Sequence, residues 1–216
     1  PPPPRPPAPA AARLGDWFRR PPPPEPTPPR PLSPSRPEGA EAPVLSPLAG
    51  DAARWRRGLL IHRLLQSLPA LPPERRGEAA RRFLAEPAQD LDPATVAAWT
   101  AEVLAVLDLP SAAPLFGPRS QAEVPIVGLA GGARIAGRLD RLAVTEEAVW
   151  LVDYKTNRPP PLAEDAVPEQ YLRQLAAYGA LLGELYKGKE IKAFLLWTDG
   201  PRLMQISAER LRRWAP

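Results

Sequence analysis

Proline is the residue that most restricts this chain. Residues 1–47 hold more than half of the 34 prolines in the 216-residue sequence. Each proline removes a backbone donor and locks φ at about −65°. That density excludes helix and sheet there and predicts an extended or polyproline II, semi-rigid segment. Its aromatic residues are Trp17 and Phe18, in RLGDWFRR. The segment is either a linker or a strap whose Trp17, Leu32 and Leu45 dock on a neighbouring domain. Apolar residues spaced along a Pro-rich strand favour the strap. The folded core must then come from residues 48–216, which are enough for one domain.

Within that core the most informative stretch is Arg134–Asn157, RIAGRLDRLAVTEEAVWLVDYKTN. Two strand-like runs, Ala133–Val144 and Val149–Tyr154, flank the polar corner Thr145-Glu146-Glu147 and predict a β-hairpin. Asp140 interrupts the first run; Asp153 and Lys155 end the second. Strand side chains alternate, so Asp153 and Lys155 share one face and Tyr154 takes the other. Two acids and a lysine converging at one end of a hairpin are costly to bury unless they bind something. A divalent cation held by carboxylate oxygens accounts for them economically.

The remaining elements follow from periodicity and punctuation. Asp51–Leu68 reads as a helix stopped by Pro69, with Trp55, Leu59, His62 and Leu65 on one face. On pattern alone, a histidine so placed is more often a hydrogen-bonded core residue than a ligand. Glu74–Glu86 and Asp92–Leu107 read as further helices; Asp92-Pro93 is an N-cap followed by proline. Leu109–Gly117 reads as a loop and Gln121–Val127 as a strand, whose Pro125 argues for an edge position. Gly131-Gly132 is a turn. Glu169–Leu185 is a helix on which Gln174 and Tyr178, four apart, share a face. By pattern these are a solvated glutamine and a core-boundary tyrosine. Ile191–Trp197 and Arg202–Ile206 form a last hairpin turning at Asp199-Gly200, and Ala208–Trp214 a short helix. The fold class is α/β (α+β), a mixed central sheet flanked by helices with a Pro-rich N-terminal extension.

Composition narrows the chemistry. The absence of cysteine removes disulfides, zinc fingers and iron–sulfur clusters, and fits a reducing cytoplasm. Histidine chemistry can occur only at His62, the single histidine. No apolar run approaches membrane length, which argues against a membrane partner. The net charge of +4 is compatible with a polyanion, but serves solubility equally well.

The ordered residues resemble a known family. G-x-x-D-R-L (Gly137, Asp140, Arg141, Leu142), then D-Y-K-T-N (Asp153–Asn157), then Y-x-x-Q-L-x-x-Y (Tyr171, Gln174, Leu175, Tyr178) look like the C-terminal nuclease domain of AddA/RecB-type helicase–nucleases, in the PD-(D/E)XK superfamily. Upstream, Arg57, Gly58, His62, Leu64 and Leu65 match R-G-x-x-x-H-x-L-L, and Leu32–Arg36 resembles the segment preceding the nuclease in the AddA branch. The resemblance implies a restriction-endonuclease-like core and a metal site of His62, Asp140, Asp153 and the Tyr154 carbonyl. It implies catalytic roles for Asp140, Asp153, Lys155, Gln174 and Tyr178, and a glutamate at the position of Glu123 that binds a second ion, orients the site or is simply exposed. Nucleic-acid contacts fall to Arg141, Thr156, Asn157 and Tyr171. The cofactor is Mg²⁺, with Mn²⁺ able to substitute because a nitrogen ligand softens the site.

That resemblance also implies partners: single-stranded DNA from an unwound end, a helicase domain of the same polypeptide and an AddB-like second subunit in a bacterial cytoplasm. No Walker A sequence occurs, so the motor itself is not in these residues. A rival reading is a nuclease-fold DNA-binding or scaffolding module whose site has decayed; the joint presence of every site residue disfavours it. Because the Pro-rich segment lacks a core-forming pattern, removal of residues 1 to about 40 is expected to leave a cooperative thermal melt. Circular dichroism of the truncated chain checks this.

Overall fold

The computed structural model describes residues 51–216. The expectations for the Pro-rich segment, including the docking of Trp17, Leu32 and Leu45, lie outside the described residues. Three helices come first: α1 (Asp51–Ser67), α2 (Pro73–Leu84) and α3 (Pro93–Leu107). Prolines punctuate them. Pro69 sits in a 3₁₀ turn after α1, and Pro87 opens another after α2. Asp92 caps α3 as its pattern predicts, accepting the Thr95 N–H at 2.9 Å. The expected loop at 109–117 is instead wound into a 3₁₀ turn, Pro110–Phe116, which buries Ala112 and Leu115.

Five strands form one sheet in the order β1-β2-β3-β4-β5. They are β1 (Ser120–Ala130), β2 (Ala133–Val144), β3 (Ala148–Lys155), β4 (Glu190–Trp197) and β5 (Arg202–Ile206). Helix α4 (Glu169–Leu185) makes the crossover between β3 and β4, the single parallel pair; the other neighbours are antiparallel. Pro125 does lie on an edge strand, and Gly131, Gly132 and Gly200 take the positive φ that their turns need. A short helix α5 (Ala208–Arg212) follows β5.

The sheet is apolar on both faces because helices cover both. Tyr154, Val152, Phe194 and Leu196 pack against α1–α3, with Leu60, Ile61, Leu64, Leu65 and Leu84. Leu151, Leu195, Trp197 and Ile135 pack against Leu172, Leu175, Tyr178 and Leu181 of α4. Asp153 and Lys155 therefore stand on the α4 side and Tyr154 on the α1 side, as alternation predicts. The α1 face needs correction. Its core stripe runs through Leu60, Ile61, Leu64 and Leu65, whereas Trp55 and Leu59 are more than half exposed.

Alternation slips once, in β2. Leu139 and Leu142 both pack on the α4 side. Between them, Asp140 reaches His62 and Arg141 reaches the Leu65 carbonyl, so two consecutive residues serve the α1 side. Opposite the slip, Glu123 drops out of the register between Ala122↔Arg141 and Val124↔Leu139 and takes φ of 54°. A non-glycine residue held there costs about 1–2 kcal/mol. The β2–β3 ladder also ends here, at Arg141↔Val152.

Gly137 lets β2 approach α4. A Cβ at that position would overlap the Tyr178 hydroxyl and lie 2.6 Å from its Cζ. Tyr178 is 1% exposed and has nowhere to move. Gly137→Ala is expected to destabilise the domain by about 1–3 kcal/mol, with partial rescue by Tyr178→Phe, measured by denaturant melts.

Candidate metal centre

The slip in β2 opens a gap beside β3, and the site fills it. The Asp140 Oδ2 accepts the Tyr154 N–H at 2.7 Å, replacing the ladder bond that β2 no longer supplies. A residue's N–H and C=O leave an extended strand on the same side, so the Tyr154 carbonyl faces this gap too. On its other edge β3 stays paired with β4 through Lys155↔Trp197. The end of β3 is thus held rigidly on one side and open on the other.

Helix α1 brings the histidine. His62 Nδ1 is 3.5 Å from Asp140 Oδ1, and its ring meets Tyr154 edge-on at 5.4 Å. Glu123 completes a group of three: one ligand atom each from His62, Glu123 and Asp140 lie within 4.8 Å of one another. Two hard carboxylate oxygens and one imidazole nitrogen suit a divalent cation. The donor set fits such an ion. Glu123, for which ion binding was one of three alternatives, is in this group; Asp153 is not within it.

Asp153 stands on the other face of β3 in a second group. Its Oδ1 accepts from Gln174 Nε2 at 2.7 Å, and its Oδ2 is 2.6 Å from Lys155 Nζ. The lysine also lies 3.4 Å from Gln174 Oε1 and 3.7 Å from the centre of the Tyr171 ring. Tyr171 in turn donates to Asn157 Oδ1 at 3.1 Å. Gln174 is therefore buried against the carboxylate, where its pattern alone read as solvated.

Electrostatics couple the groups. Burial lowers the His62 pKa, but the bond to Asp140 and the charges of Asp140 and Asp153 outweigh it, so the net shift is upward. Burial raises Asp140, yet His62 and the Tyr154 N–H more than offset this and hold its carboxyl below the usual range. Burial pushes Asp153 up, against the pull of Lys155 and with help from the Asp140 charge. Burial, opposed by Arg141, takes the Tyr154 hydroxyl to about 12, so it stays protonated.

Two residues that the resemblance implies at the site, Arg141 and Tyr178, are buried. Arg141 is 4% exposed. Its guanidinium donates to the Leu65 carbonyl at 2.6 Å and to Tyr154 Oη at 3.0 Å, and sits over the Phe116 ring. It ties α1 to the sheet and is not open to a phosphate. Tyr178 is buried against Gly137, three residues before Asp140, in the α4-side core. Thr156 does line the cleft, with Trp55, Gly58, Leu59, His62, Glu123 and Asp140, around a cavity of about 420 Å³.

A third residue went unremarked in the sequence. Glu102 on α3 makes a buried pair with Arg57 at 2.5 Å and a second with Arg158 at 2.9 Å. Arg57 also donates to the Thr156 carbonyl at 2.6 Å. This pairing clamps the chain just beyond Lys155 to α1 and α3. A glutamate on a helix carries no local sign of such a role; its partners are far away in sequence.

A mixed five-stranded sheet with helices on both faces, and with acids and a lysine where β2 and β3 part, is a restriction-endonuclease-like architecture. A family profile for the PD-(D/E)XK nuclease superfamily matches residues 39–214. The chain belongs to that superfamily. No curated protein matches it. A solved structure described as the crystal structure of SSO0001 is similar over 72% of this chain and 81% of that one, at 19% identity and a TM-score of 0.31. Among the described residues no single helix is long and apolar enough to cross a membrane.

The upward shift of His62 sets a pH dependence in the metal-free protein. The folded state holds this proton more tightly than the unfolded state does. Its contribution is therefore fully present below the ordinary value of 6.5 and is lost as pH rises through the raised folded value. The melting temperature of the parent is expected to fall across that window relative to His62→Gln. As His62 is the only histidine, melts at a series of pH values in EDTA assign the effect directly.

Proposed function

We propose that this chain is a divalent-metal-dependent deoxyribonuclease domain that hydrolyses phosphodiester bonds in a strand delivered by a helicase motor. The observation that carries the reading is the meeting, at the parted end of β2 and β3, of a His62–Glu123–Asp140 donor set with the Asp153–Lys155–Gln174 group. His62, Glu123 and Asp140 would hold the metal, Mg²⁺ or Mn²⁺. The Tyr154 carbonyl faces the same gap, and Asp153 lies one residue away on the neighbouring face.

A bound divalent ion would neutralise the phosphate, lower the pKa of a bound water and stabilise the leaving oxygen. The chain's own residues do the rest. Lys155 presents its ammonium beside the gap and stabilises the phosphate as negative charge builds on it. Gln174 bonds Asp153 and lies beside Lys155 Nζ, so it keeps both aligned. Tyr171 covers the ammonium with its ring face, which limits water around it. Thr156 and Asn157, following the lysine, are placed to meet the strand. The rival reading of a decayed module is disfavoured by the retention of both groups.

The wider assignment rests on the sequence resemblance to AddA/RecB-type nuclease domains. In that reading residues 1–47 form the strap from a helicase domain of the same polypeptide, and residues 48–216 are the nuclease domain. An AddB-like subunit is the partner, and the work is recombinational repair of double-strand breaks in a bacterial cytoplasm.

Lys155→Ala is expected to leave Mn²⁺ affinity nearly unchanged and to slow single-turnover cleavage by about a hundredfold or more, measured at a temperature well below the melting point, which falls because Asp153 loses its partner. Lys155→Arg is expected to rescue poorly, because the wider planar guanidinium cannot occupy the position from which a compact ammonium meets the phosphate. Full activity in Lys155→Ala would exclude the assignment. Asp140→Ala and His62→Ala are expected to lose both Mn²⁺ binding and cleavage, read by calorimetry and by gel.

A further inference from the structure

Helix α1 carries two stripes. One, Leu60, Ile61, Leu64 and Leu65, is buried in the core. The other, Trp55, Gly58, Leu59 and His62, lines the cleft that also holds Glu123 and Asp140. Seven residues are close to two full turns. Trp55 and His62 therefore stand on the same side of the helix, about 10 Å apart along its axis. Trp55 is 55% and Leu59 53% exposed. An exposed indole beside an exposed leucine in one cleft, and not scattered over the surface, marks a place of binding. Gly58 lies between the indole and the imidazole and presents only backbone there; a Cβ on it would come within 3.2 Å of Thr156 Oγ1.

The cleft thus has two unlike ends. At His62 it offers donors for a cation and, through the cation, a place for a phosphate. At Trp55 it offers a flat apolar wall, which no ion needs. The cavity of about 420 Å³ has the size of a small-ligand site. A ligand that matches both ends carries an anionic phosphate and, a short span away, a flat apolar ring. A nucleotide does; a sugar phosphate or a phospholipid headgroup does not. Resting on the nuclease reading of this cleft, we infer that Trp55 and Leu59 form a subsite for the nucleobase next to the scissile phosphate. The phosphate lies at the metal gap, the sugar over Gly58 and the base against the indole. Every base has a π-face, so such a subsite positions the chain without reading its sequence. Its use is register: a base fixed on the indole holds its own phosphate at the metal and keeps the strand from sliding.

The test is single-turnover cleavage, by the 216-residue chain in Mn²⁺, of a labelled 20-nucleotide DNA strand with one abasic position, resolved linkage by linkage on a gel. In the parent, the linkage beside the missing base is expected to be cut about tenfold more slowly than the same linkage in the intact strand. Trp55→Ala should slow cleavage of the intact strand by about tenfold, and the missing base should then cost nothing further, because the two changes remove one interaction. Trp55→Phe keeps an aromatic face and should retain most of the rate and the abasic effect. Mn²⁺ affinity and melting temperature of both variants are expected to stay close to the parent's, since Trp55 is neither a ligand nor part of the core stripe. Equal cutting beside the gap in the parent overturns the subsite. So does an abasic effect that survives Trp55→Ala in full, and so does faster cleavage by Trp55→Ala, since another occupant would then hold that wall. Binding is read separately, as quenching of tryptophan fluorescence in Mg²⁺ by thymidine 5′-phosphate against deoxyribose 5-phosphate. Quenching by the nucleotide alone, lost in Trp55→Phe, with no cleavage by the parent keeps the subsite and defeats the nuclease reading. Cleavage with neither quenching nor an abasic effect defeats the subsite alone, and absence of cleavage and quenching together defeats both.

Discussion

The bond from the Tyr154 N–H to the Asp140 carboxylate is the contact on which the site depends. A sheet stays closed as long as each backbone donor meets a carbonyl on the next strand. Here β2 stops pairing at Val152 while β3 runs on to Lys155 against β4. An unpaired N–H in a half-buried gap is costly. Asp140 satisfies it and so permits the strands to part. The same carboxylate keeps its Oδ1 for His62 and shares the donor set with Glu123. One side chain thus mends the ladder and assembles the site.

That arrangement is stored as local strain and held by distant supports. Glu123 takes a left-handed backbone conformation that a carboxylate residue does not favour by itself. It persists because β1 is in register on both sides of it. Arg141 holds α1 against the sheet and thereby fixes the depth of His62. Glu102, through Arg57 and Arg158, fixes the chain after Lys155. Buried ion pairs of this kind contribute little net stability; here they set position, which is what a site with tolerances of a few tenths of an ångström needs.

Charge is balanced within the α4-side group but not within the α1-side group. The α1 side holds two carboxylates and an imidazole; the α4 side holds one carboxylate and an ammonium. Without a cation, burial raises both acids; His62 and the Tyr154 N–H outweigh it at Asp140, while at Asp153 it prevails with help from the Asp140 charge, so the two shift in opposite directions. A cation at the gap would relieve that conflict. The membership of the superfamily and the physical frustration of the site lead to the same chemistry.

Much of this was legible in the residues. Period-two runs, prolines and paired glycines determined the helices and strands, since these signals act within a few positions. Asp153, Lys155 and Tyr154 were placed on their correct faces by alternation alone. The broken strand pattern itself pointed to Asp140; the family pattern pointed to His62 and Gln174, although their own local patterns favoured blander roles. What the residues could not tell was decided by tertiary contacts. Alternation counted from Leu142 would put Asp140 on the α4 side and counted from Leu139 on the α1 side; the slip opposite Glu123 decided for His62 and brought Glu123 beside them. Arg141 and Tyr178 lie within the motif yet face the interior, because α1 and α4 close over them. Trp55 and Leu59 share a helical face with His62, but α1 turns that face to the cleft. Local pattern says which residues can share a face; only the packing of helix on sheet decides what that face meets.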